Sequence, residues 1–271
     1  RKSPALAFRF LNAWLEATGD YAGVAVLRFY LAYRAMVRAK VCAIRASQPG
    51  QPQQMREREF DECREYLALA GKCLARRQPA LLLTHGLPGS GKSTFAQAAL
   101  ERWQAIRIRS DVERKRLFGL GALESSRSGA GQDIYGADAT RLTYARLLEL
   151  ARGLLAAGFP VIVDAAFLKA DERRQFRELA SELSVPFAIA SMQAGQAVLE
   201  ARIAKRHQAA GDASEADIGV LHLLQSAQQA LQPDELAHTA VFRNEAEQGG
   251  IPADAPAWGR LRELLGVSGI I

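Results

Sequence analysis

From residue 80 onward, short apolar runs alternate with amphipathic stretches. ALLLTH (80–85), AIRI (105–108), PVIVDAAF (160–167), PFAIASM (186–192) and TAVFRN (239–244) are brief and almost wholly apolar. Strands buried on both faces read this way. Between and after them lie STFAQAALERW, LTYARLLELARGLLAAG, a charged stretch following residue 167, QAVLEARIAKRH, EADIGVLHLLQSAQQAL and WGRLRELL, each with helical character. Buried strands alternating with helices predict an α/β fold, a three-layer α/β/α sandwich around a mostly parallel sheet.

The front of the chain differs. FRFLNAWLEA is amphipathic, Gly19-Asp20 interrupts it, and YAGVAVLRFYLAYRAMVRAKV follows with a broad apolar face. Two helices alone cannot bury that surface, so they must dock on the rest of the chain or on something beyond it. SQPGQPQQ (47–54) is a Pro/Gln/Gly-rich break. These signals predict a helical segment at 1–48, a linker at 49–56 and an α/β domain at 57–271. That domain opens with a helix over Glu57–Ala75, whose Phe60, Cys63, Leu67 and Leu69 read as a core-facing stripe. Trp14, Trp103 and Trp258 read as core anchors. The Gly/Ser-rich run from Gly119 to Gly136 suits a mobile loop at a substrate site.

Composition narrows the function classes. Of 271 residues, 49% are hydrophobic and 24% charged, enough apolar surface for a real core. A net charge of +6 suits an anionic ligand without requiring nucleic acid. Cys42, Cys63 and Cys73 form no CxxC pair, which argues against a zinc site or disulfide framework and for a reducing cytoplasm. Arg28, Arg34, Arg38 and Lys40 argue against a membrane span at 23–41. His85, His207, His222 and His238 lack ligand spacing, and His85 reads as structural. A first residue Arg1, with no signal peptide, suggests a piece of a longer protein.

The chemistry centres on Gly86-Leu87-Pro88-Gly89-Ser90-Gly91-Lys92-Ser93, which satisfies G-x-x-x-x-G-K-[ST] at every required position. Such a loop curls so that successive backbone N–H groups face phosphate oxygens, and glycines permit the curl. The helix that follows adds the positive end of its dipole. Lys92 would reach the β- and γ-phosphates, Ser93 would ligate Mg²⁺, and Thr94 would help at the α-phosphate.

Four features point from nucleotide binding toward phosphotransfer. Asp111 follows the second strand, at the sheet edge where ligands lie, and either acts on an attacking hydroxyl or caps the next helix. Arg114, one turn on, either holds a substrate group or is solvated. Asp164 ends the strand VIVD, where an acidic residue binds Mg²⁺ through water or closes the strand. Arg202 and Arg206, four apart on one helix face, either close over the transferring phosphate or belong to a basic surface with Lys205. The Gly/Ser-rich run is the fourth feature.

GLPGSGKST, IRSDVER, VIVDAAF and the Arg202/Arg206 pair together resemble the small P-loop kinases that phosphorylate hydroxyls: polynucleotide 5′-kinases, gluconate-type kinases and zeta-toxin-like kinases. The resemblance implies a base at Asp111 partnered by Arg114, and lid arginines at 202 and 206. After Asp164 the family pattern carries Thr or Asn two residues on, where this chain has Ala166. LNAWLEATGDYAGVAVLRFYLAYRAMVRAKV resembles the end of an aminoglycoside-phosphotransferase-like domain, and DASEAD (212–217) also fits the bacterial family in which such a domain precedes a P-loop kinase domain of the AAA family ATPase type. The expectation is an ATP- and Mg²⁺-dependent transfer of the γ-phosphate to a hydroxyl of a small molecule or polynucleotide end. The alternative is an ATP-binding or -hydrolysing regulatory module coupled to an upstream phosphotransferase-like domain.

Overall fold

The computed structural model describes residues 3–75, 78–124, 126, 133–209, 216–245, 250 and 255–266. Its contacts divide the chain into two compact units. One holds the described residues up to Gly19 and from Gln78 onward, and the other those from Asp20 to Ala75.

The first unit is built on five strands: β1 (Leu81–His85), β2 (Ile106–Arg109), β3 (Val161–Asp164), β4 (Phe187–Gln193) and β5 (Thr239–Arg243). They form one sheet in the order β2-β3-β1-β4-β5, every neighbouring pair parallel. Leu81, Leu82 and Leu83 of β1 are all buried, as their unbroken apolar run requires of a central strand. The β3 strand is shorter than its apolar run, because the chain leaves the sheet at Asp164, and Phe167 adopts φ +48° in the following loop.

Helices supply both outer layers. On one face α4 (Lys92–Trp103) and α11 (Pro256–Leu265) bury an aromatic cluster in which Phe95 stacks on Trp258 at 4.9 Å and Trp103 meets Trp258 edge-on. Residues of the opposite parity, among them Leu83, Val161 and Val163, are buried where α6 (Ala137–Ala156) lies against β3. Further helices of this unit are α5 (Ser110–Leu117), α7 (Ala170–Glu182), α8 (Gln196–Ala209), α9 (Ile218–Ala227) and the single turn α10 (Pro233–Leu236).

Helix α1 (Pro4–Thr18) belongs to this unit. Asn12, 1% exposed, accepts from the Arg107 backbone N–H at 2.6 Å and donates to the Ala105 carbonyl at 3.0 Å. Its amide thus takes the place of a neighbouring strand along the open edge of β2. Gly19 ends the helix in the left-handed conformation, φ +74°, its N–H returning to the Leu15 carbonyl.

The second unit is a hairpin of α2 (Val24–Ala46) and α3 (Gln53–Leu74). These compact units do not coincide with the sequence boundaries at 48 and 57: α1 joins the sheet, and α3 pairs with α2 instead of opening the α/β unit. Small residues explain the pairing. Ala32, Ala35, Ala39, Cys42 and Ala46 are the buried stripe of α2, and they let the two backbones approach closely. The expected stripe of α3 is corrected accordingly. Phe60 and Leu67 are exposed, while Ala70 is buried. Trp14 is likewise corrected from core anchor to 43% exposed, whereas Trp103 and Trp258 are buried as expected. No helix among the described residues is long and apolar enough to cross a membrane. Cys42, Cys63 and Cys73 are free thiols.

Candidate active site

The carboxyl ends of β1, β2 and β3 converge on one cavity of about 470 Å³. The loop after β1 forms its floor. Gly86 has φ +142°, and a Cβ there would meet the Met192 carbonyl oxygen at 2.4 Å. Gly91 has φ +98°, and a Cβ there would lie 2.3 Å from Asn244 Nδ2. No side chain fits at either position, so the glycines of the motif are required by both backbone angle and space. Lys92 starts α4 and turns its ammonium back onto the Leu87 carbonyl at 2.8 Å. Ser90 Oγ is buried without a hydrogen-bond partner. The loop is a formed cradle with donors to spare, which suits phosphate oxygens.

Thr84, one residue before the end of β1, ties this loop to the end of β3. Its hydroxyl donates to the Ala165 carbonyl at 2.8 Å and accepts from the Ala165 N–H at 3.1 Å. The Gly86 N–H donates to the Ala166 carbonyl at 3.1 Å. Asp164 is therefore held beside the phosphate loop. Its side chain is 3% exposed, and Oδ2 has no hydrogen bond, only the Arg109 guanidinium at 3.7 Å.

Most of the residues singled out in the sequence meet around this cavity. Pro88, Gly89, Gly91, Lys92, Ser93, Thr94, Asp111, Arg114, Asp164, Arg202 and Arg206 all line the cavity. Asp111 lies in the first turn of α5, and its side chain makes no hydrogen bond or ion pair among the described residues. Arg114 is not solvated: it is 7% exposed, donates to the Ile134 carbonyl at 2.8 Å and to the Thr140 hydroxyl at 3.2 Å, and lies over the Tyr135 ring. Arg202 reaches the loop itself, donating to the Gly89 carbonyl at 2.9 Å and to Asn244. Arg206 donates to the Ala216 carbonyl at 2.6 Å. Much of the Gly119–Gly136 run, and of DASEAD, lies outside the described residues. Within them, Tyr135 lines the cavity, and Asp217 caps α9 through Val220 N–H.

Several residues were missed. Asn244, 3% exposed at the end of β5, donates to the Ser90 carbonyl at 3.0 Å and so clamps the phosphate loop from the other half of the sheet. Tyr144, Lys169 and Glu172 also line the cavity. Burial pushes the Glu172 carboxyl up from its ordinary value, opposed by Lys169 and Tyr144, and burial pushes the Tyr144 phenol up as well. Helix α9 adds an apolar part to the lining: Val220, Leu223, Leu224 and Ala227 border the same cavity. A polar residue closing an apolar strand, as in FRN, was the one available signal for Asn244.

The donor set fits a nucleotide-borne divalent cation. The Ser93 hydroxyl and the Asp164 carboxylate share the cavity, and Asp164 Oδ2 accepts no hydrogen bond. No group of three or more His, Cys, Asp or Glu among the described residues could cage a metal alone. Mg²⁺ characteristically takes one or two protein ligands and fills its shell with water and phosphate.

A parallel sheet in this order, with a phosphate loop after its central strand, is the P-loop NTPase fold. The chain belongs to the AAA domain family (AAA_33), whose model matches residues 81–231, and it is a P-loop kinase-like nucleotide-binding domain. Uncharacterized proteins of Mycobacterium tuberculosis and Mycobacterium bovis are each 35% identical over 173 residues, 64% of this chain and 34% of theirs. The chain thus spans about a third of the length of these curated relatives. Among solved structures it is similar in fold to a sugar kinase from Janibacter (TM-score 0.50, 18% identity, 70% of this chain and 96% of that one). A kinase candidate from Chloroflexus aurantiacus is similar too (TM-score 0.53, 20% identity, 70% and 100%).

Proposed function

We propose that this domain transfers the γ-phosphate of ATP to a hydroxyl of a small molecule. The observation that carries the reading is the shared cavity. A phosphate cradle, an unengaged carboxylate at Asp111 and a recess of mixed polarity open into one another. Hydrolysis alone needs no such recess. Its lining includes apolar residues of α9 as well as Tyr144, Lys169 and Glu172, and this mixture favours a compact, partly apolar acceptor over a polyanionic polynucleotide end.

In this reading, backbone N–H groups of the loop and Lys92 hold the β- and γ-phosphates, with Lys92 leaving the Leu87 carbonyl to do so. Ser93 and Asp164 would hold Mg²⁺, which when bound neutralises phosphate charge. Asp111 orients the acceptor hydroxyl and takes its proton as oxygen attacks the γ-phosphorus and the bond to the β-phosphate oxygen breaks. Arg114 supports the acceptor wall through its bonds to the Ile134 carbonyl and Thr140. Arg202 and Arg206 supply positive charge from the α8 side.

A second reading, a regulatory ATPase coupled to an upstream phosphotransferase-like domain, draws on the outward face of α1. There Leu6, Phe10 and Trp14 stand exposed. Incubation with Mg²⁺ and γ-labelled ATP separates the two. The panel would include sugars, nucleosides, aminoglycosides and 5′-hydroxyl oligonucleotides, with Lys92→Ala as control. Label on a small molecule supports the proposal. Phosphate release indifferent to every acceptor supports the second reading, and label on the oligonucleotide alone refutes the small-molecule assignment.

A further inference from the structure

The phosphate loop is held from outside by two side chains that also hold each other. Arg202 of α8 donates Nη1 to the Gly89 carbonyl at 2.9 Å, and Nη2 to the Asn244 carbonyl at 3.0 Å and to Oδ1 at 3.1 Å. The Asn244 amide donates in turn to the Ser90 carbonyl at 3.0 Å. Consecutive carbonyls of the loop are thus each tied to one member of a bonded pair. Arg202 also decides how the amide lies. A guanidinium only donates, so Oδ1 must face it, and Nδ2 is left for the Ser90 oxygen. Packing brings α8 this close. Gly89 has φ +81°, and a Cβ there would meet the Leu199 carbonyl oxygen at 2.9 Å. Leu87 of the same loop packs against the buried Leu199, Ile203 and Leu221.

A peptide unit is planar and trans, so an anchored carbonyl turns the next residue's N–H the other way. Holding the Gly89 carbonyl orients the Ser90 N–H, and holding the Ser90 carbonyl orients that of Gly91. The Ser90 N–H and the Lys92 ammonium converge on one oxygen, the Leu87 carbonyl, at 3.2 and 2.8 Å. Both Nη atoms of Arg202 are directed at protein oxygens, so turning either to a phosphate would release Gly89 or Asn244. Resting on the reading of this loop as the nucleotide cradle, we propose that Arg202 is a positioning residue: by fixing two peptides of the loop it acts on the phosphates common to ATP and ADP, not by contact with the phosphate transferred. Its charge still adds to the positive potential of the site. Arg206, one turn on, donates to the Ala216 carbonyl instead, so the two arginines of α8 serve different parts of the cavity.

The test is the affinity for ADP and for a non-hydrolysable ATP analogue in Mg²⁺, by calorimetric titration, with a melting curve for each variant. Arg202→Gln should weaken both nucleotides by the same factor, on the order of tenfold, as loss of a hydrogen bond from a charged donor does. Arg202→Lys keeps the charge but cannot fork between Gly89 and Asn244, so it should lose nearly as much. Arg202→Gln/Asn244→Ala should bind little more weakly than the weaker single variant, since both side chains act on the same stretch of loop. A loss confined to the ATP analogue overturns the proposal, because direct contact with the γ-phosphate produces that pattern. So does full affinity in Arg202→Gln or Arg202→Lys, or losses that multiply in the double variant. If Arg202→Gln fails to fold, Arg202→Lys carries the same comparison of ADP with the ATP analogue. Failure of the unsubstituted chain to bind either nucleotide would instead overturn the cradle reading on which the proposal rests.

Discussion

Asn244 donates its side-chain amide to the Ser90 carbonyl across 154 residues of sequence, at 3.0 Å. The phosphate loop after β1 is thereby pinned from the end of β5, and Arg202 joins the same cluster through the Asn244 carbonyl and Oδ1. A loop rich in glycine pays heavily in entropy to hold one shape, and this clamp opposes that loss. Asn244→Ala should weaken nucleotide affinity by about tenfold, roughly the 1.4 kcal/mol of one lost buried hydrogen bond. Calorimetric titration with ATP measures it. Undiminished affinity would show that the loop holds its form unaided.

Asp111 carries no bond that a substitution would break. Asp111→Asn should therefore leave the melting temperature and the ATP affinity in place. If the carboxylate takes the acceptor proton, kcat should fall by about 10²–10⁴. Steady-state kinetics on whichever acceptor is labelled provide the comparison, and undiminished phosphotransfer removes Asp111 from the role of base.

His85 is 5% exposed at the end of β1, with Nδ1 3.0 Å from the Ser191 hydroxyl. Burial first, then the charges of Arg173 and Lys92, push its pKa from 6.5 down to about 4. The unfolded chain therefore binds the proton that the folded chain refuses. Stability from this residue is complete above pH 6.5 and is lost as pH falls toward 4. Melting curves of His85→Gln should show a smaller loss between pH 7 and pH 5 than those of the unsubstituted chain. Identical pH dependence would exclude His85 as the source.

Arg173 and Glu235 form a buried ion pair, with contacts of 2.7 and 2.9 Å, and Arg173 also donates to the Phe167 carbonyl at 2.9 Å. This pair stabilises the loop that follows Asp164. Removing one charge strands the other, so Arg173→Ala should cost about 3–5 kcal/mol by denaturant unfolding. Arg173→Met/Glu235→Met should recover part of that loss, since neither charge then remains buried. A single variant as stable as the double would contradict the account.

Element by element, legibility followed the physics of each signal. The five strands could be read because a parallel strand is buried on both faces, leaving an apolar run with no polar interruption. The phosphate loop could be read because its glycines answer to backbone angles and close approach, as Gly86 and Gly91 demonstrate. Helix α3 could be found but not placed. Its larger apolar residues suggested Phe60 and Leu67 as the packing face, yet the alanines of α2 select a close helix pair that leaves both exposed.

What the sequence alone determined, then, was the local chemistry: an α/β alternation, a phosphate loop with its lysine and serine, and acidic residues at two strand ends. Those features rest on interactions between neighbours in the chain. Tertiary structure decided which distant groups meet. Thr84 joins Ala165, Asn244 closes on Ser90, and Glu16 shares Arg109 with Asp164. None of these partners lies within a helical turn or a hairpin of the other, so no periodicity records the contact. Strand order and register bring them together, and burial in one sheet makes each polar group find its partner there.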